Sequence, residues 1–438
     1  MTRVSIVTLG CPKNVVDSGN LADGLSREGI ICTEDMNDSD IVLVNTCGFI
    51  EDAKKESIEE ILKLRQLRSE GRKLLVFGCL AKRYKDELIK EIPDIDAIWG
   101  VGEEEKIIEY CKSVDSGNRG QVAKRTKKTQ DSCHPELIAP SYAYLKIAEG
   151  CDRGCTFCVI PSIRGSYMSF EPETILKYAE RHIRAGIKEL IIIAQDIGNY
   201  GNNKGYNLSS LLRDISSISG DFWIRLLYLY PTALGKDLIS AIAGNGKVCN
   251  YIDVPLQHSE DKILKAMGRG GSREAYKNKI RMIRDMIPDI TLRTTFITGF
   301  PGETEDDFNG LKIFVEEMRF DRLGVFEYSK EEGTPASKMK GIVPKRIAKM
   351  RRDELMRIQS HISLEKNRLI IGKRFKALID EVDGDIAVAR LYSQAPEIDG
   401  VTLIPGCGMH HPPLLSVGGF VDIEITDAYD YDLKGRAV

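Results

Sequence analysis

Residues 149–158 read EGCDRGCTFC and place Cys151, Cys155 and Cys158 in a C-x-x-x-C-x-x-C triad. Three thiolates this close, on a loop that follows a strand-like run, can wrap one face of a metal centre while supplying only three ligands. A structural zinc site usually closes with a fourth Cys or His nearby, and the next cysteine along the chain is Cys249. Three thiolates with an open fourth position suit a four-iron cluster that binds something else at its free iron. A second set, Cys11, Cys47 and Cys79, is spaced by 36 and 32 residues, and each member ends an apolar run: Leu9-Gly10-Cys11, Asn45-Thr46-Cys47 and Gly78-Cys79. One such cysteine reads as a small buried residue. Three at equivalent strand ends can converge on one edge of an open parallel sheet, where ligands bind.

The elements that must position these thiols are legible as periodicity. Residues 4–9, 41–44 and 74–77 read as strands, and 14–28, 51–68 and 82–91 as amphipathic helices, which is an α/β pattern with a parallel sheet. No Gly-rich phosphate loop opens any of these helices, so a nucleotide site there is disfavoured. Residues 116–141 read as a linker carrying several Lys and Arg, with Cys133-His134 inside it. From Tyr142 the alternation resumes, with strands expected near 143–148, 188–194, 222–230, 251–256, 291–298 and 322–328, and helices at 171–185, 272–287 and 304–319. Right-handed crossovers wind such a series into a partial or complete (β/α) barrel whose chemistry sits at the strand C-termini. Gln195, Asp196, Tyr230, Gln257, His258, Gly299 to Glu303 and Tyr328 fall there, as does the cysteine loop. A polar helix over 344–370 then leads to a period-two region. It reads as a small β-barrel with strands near 375–381, 386–391, 401–404 and 420–426, and with Asp383-Gly384 and Asp399-Gly400 as hairpin turns.

Bulk properties narrow the class. At 438 residues and 49.0 kDa, two or three domains are expected. A net charge of −3 does not mark a nucleic-acid binder. The start MTRVSIVTLGC has no leader pattern, and no apolar run can span a bilayer, so a cytoplasmic protein is expected. Eleven cysteines in a reducing compartment read as ligands, nucleophiles or core residues rather than disulfides. Small barrels often bind oligonucleotides, yet from Lys373 to Val438 there are six Lys and Arg against eleven Asp and Glu, which favours a basic partner over a phosphate backbone.

The triad, with Phe157 before its last cysteine, resembles the signature of the radical S-adenosylmethionine enzymes. LGCPKNVVDS, NTCGFIEDAKKES, YLKIAEGCDRGCTFCVIPSIRG, PLQH, GFPGETEDDF and YSKEEGTPA are similar to those of the methylthiotransferases, in the RimO-type branch that modifies an aspartate of ribosomal protein S-twelve. The transfer RNA branch usually has FGCQMN where LGCPKN stands here. The resemblance covers nearly the whole chain. It implies an N-terminal methylthiotransferase domain at 1–115, a linker at 116–141, a radical S-adenosylmethionine domain at 142–370 and a TRAM-type β-barrel at 371–438.

It further implies two [4Fe-4S] clusters. Cys151, Cys155 and Cys158 would hold the one that cleaves S-adenosyl-L-methionine to a 5′-deoxyadenosyl radical. Cys11, Cys47 and Cys79 would hold the one that handles sulfur, with S-adenosyl-L-methionine also the methyl donor. A radical is required because the β-carbon C–H of aspartate is not acidic. Gln195, Gln257, His258 and Glu303 are the candidates for the S-adenosylmethionine pocket, from strand-end position and family likeness. The implied partners are the ribosomal protein, free or in the small ribosomal subunit, and a flavodoxin- or ferredoxin-type electron donor, with no membrane. Cys32, Cys111, Cys133, Cys249 and Cys407 have no counterpart in the motif and are assigned to structure. Two readings compete: the same chemistry on adenosine in transfer RNA, and a non-catalytic zinc-binding module.

Overall fold

In this computed structural model the described residues are 2–66, 71–114, 140–201, 205–406 and 415–438. The basic linker with Cys133-His134, and Cys407 with His410-His411, lie outside them. The chain divides into two compact units, Met1–Ile138 with Val159–Ser166, and Ala139–Cys158 with Tyr167–Val438.

The first unit is an open parallel sheet. Strands β1 (Arg3–Thr8), β2 (Ile31–Cys32), β3 (Ile41–Thr46), β4 (Lys73–Gly78) and β5 (Ala97–Trp99) lie in the order β2-β1-β3-β4-β5. The central strand IVLVNT is buried at all six positions, as a parallel strand covered on both faces must be. Helices α1 (Pro12–Arg27), α2 (Glu51–Leu64), α3 (Cys79–Arg83), α4 (Lys85–Glu91) and α5 (Glu104–Ser113) provide the cover. Pairing of Thr8 with Asn45 and of Thr46 with Gly78 brings the three central strands to a common end, from which the chain runs into Cys11, Cys47 and Cys79. Three local differences from the sequence reading appear. The helix expected from Lys82 begins at Cys79 and breaks at Tyr84, while β2 and β5 are too short to leave a periodic signal.

Helix α6 (Ile160–Arg164) also packs in this unit, with Val159 and Ile163 against Cys79. The division thus departs from a linear partition at Val159–Ser166.

The second unit holds both remaining modules. Strands β6 (Tyr142–Lys146), β9 (Glu189–Ile193), β10 (Trp223–Leu226), β11 (Val248–Asp253), β12 (Thr291–Thr298) and β13 (Arg322–Glu327) form a parallel sheet in sequential order, the six strands expected. A two-residue pair, β7 (Ala148–Glu149) with β8 (Met168–Ser169), closes the base of the excursion that carries the cysteine loop. Helices such as Pro172–Arg184, Arg273–Met286 and Glu305–Met318 bury apolar stripes on the sheet, and the last starts with a Thr304–Asp307 capping box. The helix Lys345–Arg368 runs on to a closed barrel of β14 (Arg374–Asp383), β15 (Ile386–Leu391), β16 (Thr402–Pro405), β17 (Phe420–Ala428) and β18 (Leu433–Ala437).

Here the sequence reading needs two corrections. The barrel has a fifth strand, LKGRA, whose charges hid its alternation. Asp399-Gly400 is no hairpin turn. Asp399 instead accepts from the Ala395 amide and the Tyr251 hydroxyl, anchoring a loop. Asp383-Gly384 does turn β14 into β15, with Gly384 at φ +57°.

A buried ionic chain joins the two modules of this unit. Glu189 takes Arg225 Nε and Arg390 Nη1 on its two oxygens, each at 2.5 Å, and Arg390 also grips Asp380 at 2.5 and 2.9 Å. Among the described residues no helix is long and apolar enough to cross a membrane.

Candidate metal centres

The first candidate centre forms where β1, β3 and β4 end. Gly10 has φ +90°, and a Cβ there would fall 2.5 Å from Cys47 Cβ and 2.9 Å from its sulfur, so only glycine lets the Cys11 turn approach Cys47 so closely. Gly48 is packed likewise, with its Cβ position 2.8 Å from the Leu80 backbone. Asn14 pins the ends together: its Nδ2 donates to the Leu9 carbonyl at 2.7 Å and to the Thr46 carbonyl at 3.3 Å, and its own carbonyl accepts from Asn45 at 2.8 Å. Ser57 on α2 clamps Cys47, accepting from its amide and donating to its carbonyl, both at 3.0 Å.

The sulfurs lie near enough to interact: Cys11 raises the pKa of Cys47 and of Cys79, and Cys47 raises that of Cys79. Burial pushes the Cys47 thiol up, against the Phe49 amide that favours the thiolate. Burial likewise pushes Cys79 up to about 12, although the Arg164 guanidinium opposes it. Ligation of such thiols by metal releases protons.

The second candidate centre sits at the mouth of the parallel sheet in the second unit. Its loop is anchored at both ends of the triad. The Arg153 amide donates to Cys151 Sγ at 3.4 Å, and Thr156 bonds the Met267 carbonyl through its amide and the Ala266 carbonyl through its hydroxyl, at 2.9 and 2.8 Å. Phe157 packs edge-on against Phe300, with ring centroids 6.4 Å apart. Burial raises the Cys151 thiol, with the Arg153 amide opposing. Two guanidinium groups use the Tyr230 ring: Arg153 lies 4.2 Å and Arg269 4.0 Å from its centroid. Arg153 is fixed by Asp196 at 2.7 and 2.8 Å, and Arg269 donates to Cys155 Sγ at 3.5 Å. Cys151, Arg153, Tyr167 and Asp196 border a cavity of about 70 Å³. A depression of about 940 Å³ lies away from these thiols in the second unit, at the amino ends of the strands beside Trp223, Asn250 and Thr291.

The remaining sequence candidates separate into two pairs. Gln195 reaches the mouth, where its Nε2 donates to Glu149 at 2.9 Å and its buried Oε1 has no hydrogen-bond partner. Gln257 is half-buried in a left-handed turn at φ +74°. His258 and Glu303 face each other instead of the solvent. Both side chains are fully buried, 3.7 Å apart, and Glu303 also meets Arg351 at 3.4 Å and the Gly299 amide. They tie the loops after β11 and β12 to the long helix. Arg164, Asn14, Glu149, Arg153 and Arg269 were not singled out from sequence. Arg and Asn at such positions read as ordinary surface or cap residues until burial and partners are known.

Among the described residues no three Cys, His, Asp or Glu side chains close around a single point as a mononuclear ion requires. A four-iron cluster needs no common point, because each thiolate takes a different iron. Two sets of three thiols, each with a guanidinium beside a sulfur, have the donor chemistry for such clusters.

Residues 3–100 match the uncharacterized protein family UPF0004, 145–314 the radical SAM superfamily and 371–438 the TRAM domain. Three proteins named ribosomal protein uS12 methylthiotransferase RimO are similar throughout. Those of Thermodesulfovibrio yellowstonii, Thermoanaerobacter sp. and Thermotoga maritima are 51%, 44% and 43% identical, over 100% of this chain and 100% of each relative. In fold, the chain is similar to the radical S-adenosylmethionine methyltransferase TsrM from Kitasatospora setae, solved with cobalamin and a [4Fe-4S] cluster. That likeness has a TM-score of 0.56 at 14% identity, over 89% of this chain and 81% of that one. It is also similar to the cobalamin-dependent S-adenosylmethionine radical enzyme OxsB, with a TM-score of 0.52 at 16% identity over 84% and 56%. With relatives this similar over its whole length, the chain belongs to the RimO family of radical S-adenosylmethionine methylthiotransferases, whose cofactors are S-adenosylmethionine and [4Fe-4S] clusters.

Proposed function

We propose that this enzyme methylthiolates the β-carbon of an aspartate in ribosomal protein uS12. The observation that carries the reading is full-length similarity to relatives bearing that name, in a chain that presents two separate three-cysteine sites. Cys151, Cys155 and Cys158 hold the radical-generating cluster, and Cys11, Cys47 and Cys79 the sulfur-handling one. When bound, the clusters and S-adenosylmethionine supply the radical, the sulfur and the methyl group. The protein's residues hold and orient. Asp196 and Tyr230 fix Arg153 beside Cys151, and Arg269 donates to Cys155. Gln195, whose buried side-chain oxygen has no hydrogen-bond partner, and Gln257 are the residues that would hold S-adenosylmethionine. The matched segments support domains at 1–115, 142–370 and 371–438, joined by a linker at 116–141. The acidic C-terminal barrel suits a basic ribosomal protein, free or in the small subunit. A flavodoxin- or ferredoxin-type protein supplies electrons, and the reaction is cytoplasmic.

The test incubates anaerobically reconstituted enzyme, reductant and S-adenosylmethionine with uS12 or with transfer RNA, and reads products by mass. Methylthiolated aspartate is expected. Methylthiolated adenosine with unmodified uS12 would move the protein to the transfer RNA reaction.

A further inference from the structure

We propose that Arg164 is a positioning residue for the iron–sulfur centre of the first unit, holding the Cys79 thiolate in its ligating position and favouring the reduced cluster. The inference rests on the assignment of a cluster to Cys11, Cys47 and Cys79. Arg164 has a side chain only 1% exposed, and its Nη2 lies 3.4 Å from Cys79 Sγ, 2.8 Å from Asn14 Oδ1 and 3.0 Å from Asp17 Oδ2. An ion pair serving only to tie α6 to α1 would need Asp17 alone. Here one nitrogen is shared between a carboxylate, an amide oxygen and a sulfur, and that amide belongs to Asn14, which pins the strand ends before Cys11 and Cys47. The guanidinium is therefore built into the same constellation that sets the thiols.

Physically, the arrangement does two things. A donor fixed beside Cys79 restricts where its sulfur can go, so the site is partly formed before iron arrives. Hydrogen bonds and positive charge at a ligating sulfur stabilise the cluster state that carries more negative charge, and burial strengthens the effect. Arginine keeps its charge at any working pH, which lysine in a buried site does not guarantee. By sequence, Arg164 stands six residues after Cys158, so one short stretch carries the last ligand of one centre and the cation of the other.

The experiment uses the full chain with Cys151, Cys155 and Cys158 all replaced by Ala, so that only the first unit's cluster forms. Into it are placed Arg164→Gln, Arg164→Lys and Asp17→Asn. Iron and sulfide content, the midpoint potential by a titration followed with electron paramagnetic resonance, and the thermal melt of the iron-free protein are read. Arg164→Gln is expected to shift the potential negative, Arg164→Lys to recover part of the shift, and Asp17→Asn to shift it positive. Loss of iron in Arg164→Gln with an unchanged iron-free melt would equally support the positioning role. An unchanged potential and iron content in Arg164→Gln overturns the proposal. So does iron loss that merely accompanies collapse of the iron-free fold in both Arg164 variants, which would make the residue a structural tie. If the background protein with Arg164 intact binds no iron, the two-cluster assignment fails first and takes the proposal with it.

Discussion

Single residues at the two centres are constrained by contacts that composition does not reveal. Gly10 is the clearest case, since its left-handed backbone and the nearness of Cys47 both forbid a side chain. Gly10→Ala is expected to remove the cluster of the first unit and leave the other, so that bound iron in reconstituted protein falls by about half. Tyr230 offers a different test. Its ring carries Arg153 and Arg269 while its hydroxyl only accepts from the Gly270 amide at 3.2 Å. Tyr230→Ala should cost about 3–5 kcal/mol in chemical denaturation. Tyr230→Phe should cost about 1 kcal/mol or less. A large loss in the Phe variant would show that the hydroxyl, rather than the ring, matters. Cys111 and Cys249, outside the two triads, are buried, and burial pushes both thiols up to about 12, so both are protonated at neutral pH.

At the scale of elements, the register of parallel strands brings Cys11, Cys47 and Cys79 to one edge, and a single ionic chain fixes β9 and β10 to β14 and β15. Burial alone would raise the Glu189 carboxyl, but Arg225 and Arg390 outweigh it and hold the group below its usual range. A depressed carboxylate contributes stability that is present above its unfolded value, about 4.3, and is lost as pH falls through the lower folded value. Glu189→Ala leaves two buried guanidinium groups facing each other and should cost about 3–5 kcal/mol at pH 7. Across an acid titration the variant should lose less stability than the native chain; parallel curves would show that Glu189 is not the group responsible.

At the scale of the whole molecule, the small barrel is a structural part of the second unit. Arg225 donates to the Tyr392 carbonyl at 2.6 Å, Trp223 packs on Phe420 with centroids 4.9 Å apart, and Tyr251 donates to Asp399 at 2.7 Å. Each of these contacts is lost when residues 371–438 are removed. Truncation should therefore lower the melting temperature of the second unit by about 6–12 °C, from the roughly 3 kcal/mol cost of leaving Glu189 and Arg225 without Arg390 and Tyr392. An unchanged melt would mean the central module stands alone.

Much of this protein was legible in its sequence. Thiol spacing identified both cysteine sets, strand alternation gave the three modules and all six central strands, and the resemblance led to the family. These signals are local: a ligand set and a two- or 3.6-residue period survive in the linear order. The shortest strands β2 and β5, the charged strand β18 and the role of Asp399 left no such trace. Only the tertiary structure decided which polar side chains meet the sulfurs. His258 and Glu303 stand at strand ends as expected, yet they turn inward to each other, whereas Arg164, one arginine among many in the chain, is folded back onto Cys79. Burial and the choice of partner are properties of the packed chain, because they depend on residues far apart in sequence arriving at one place.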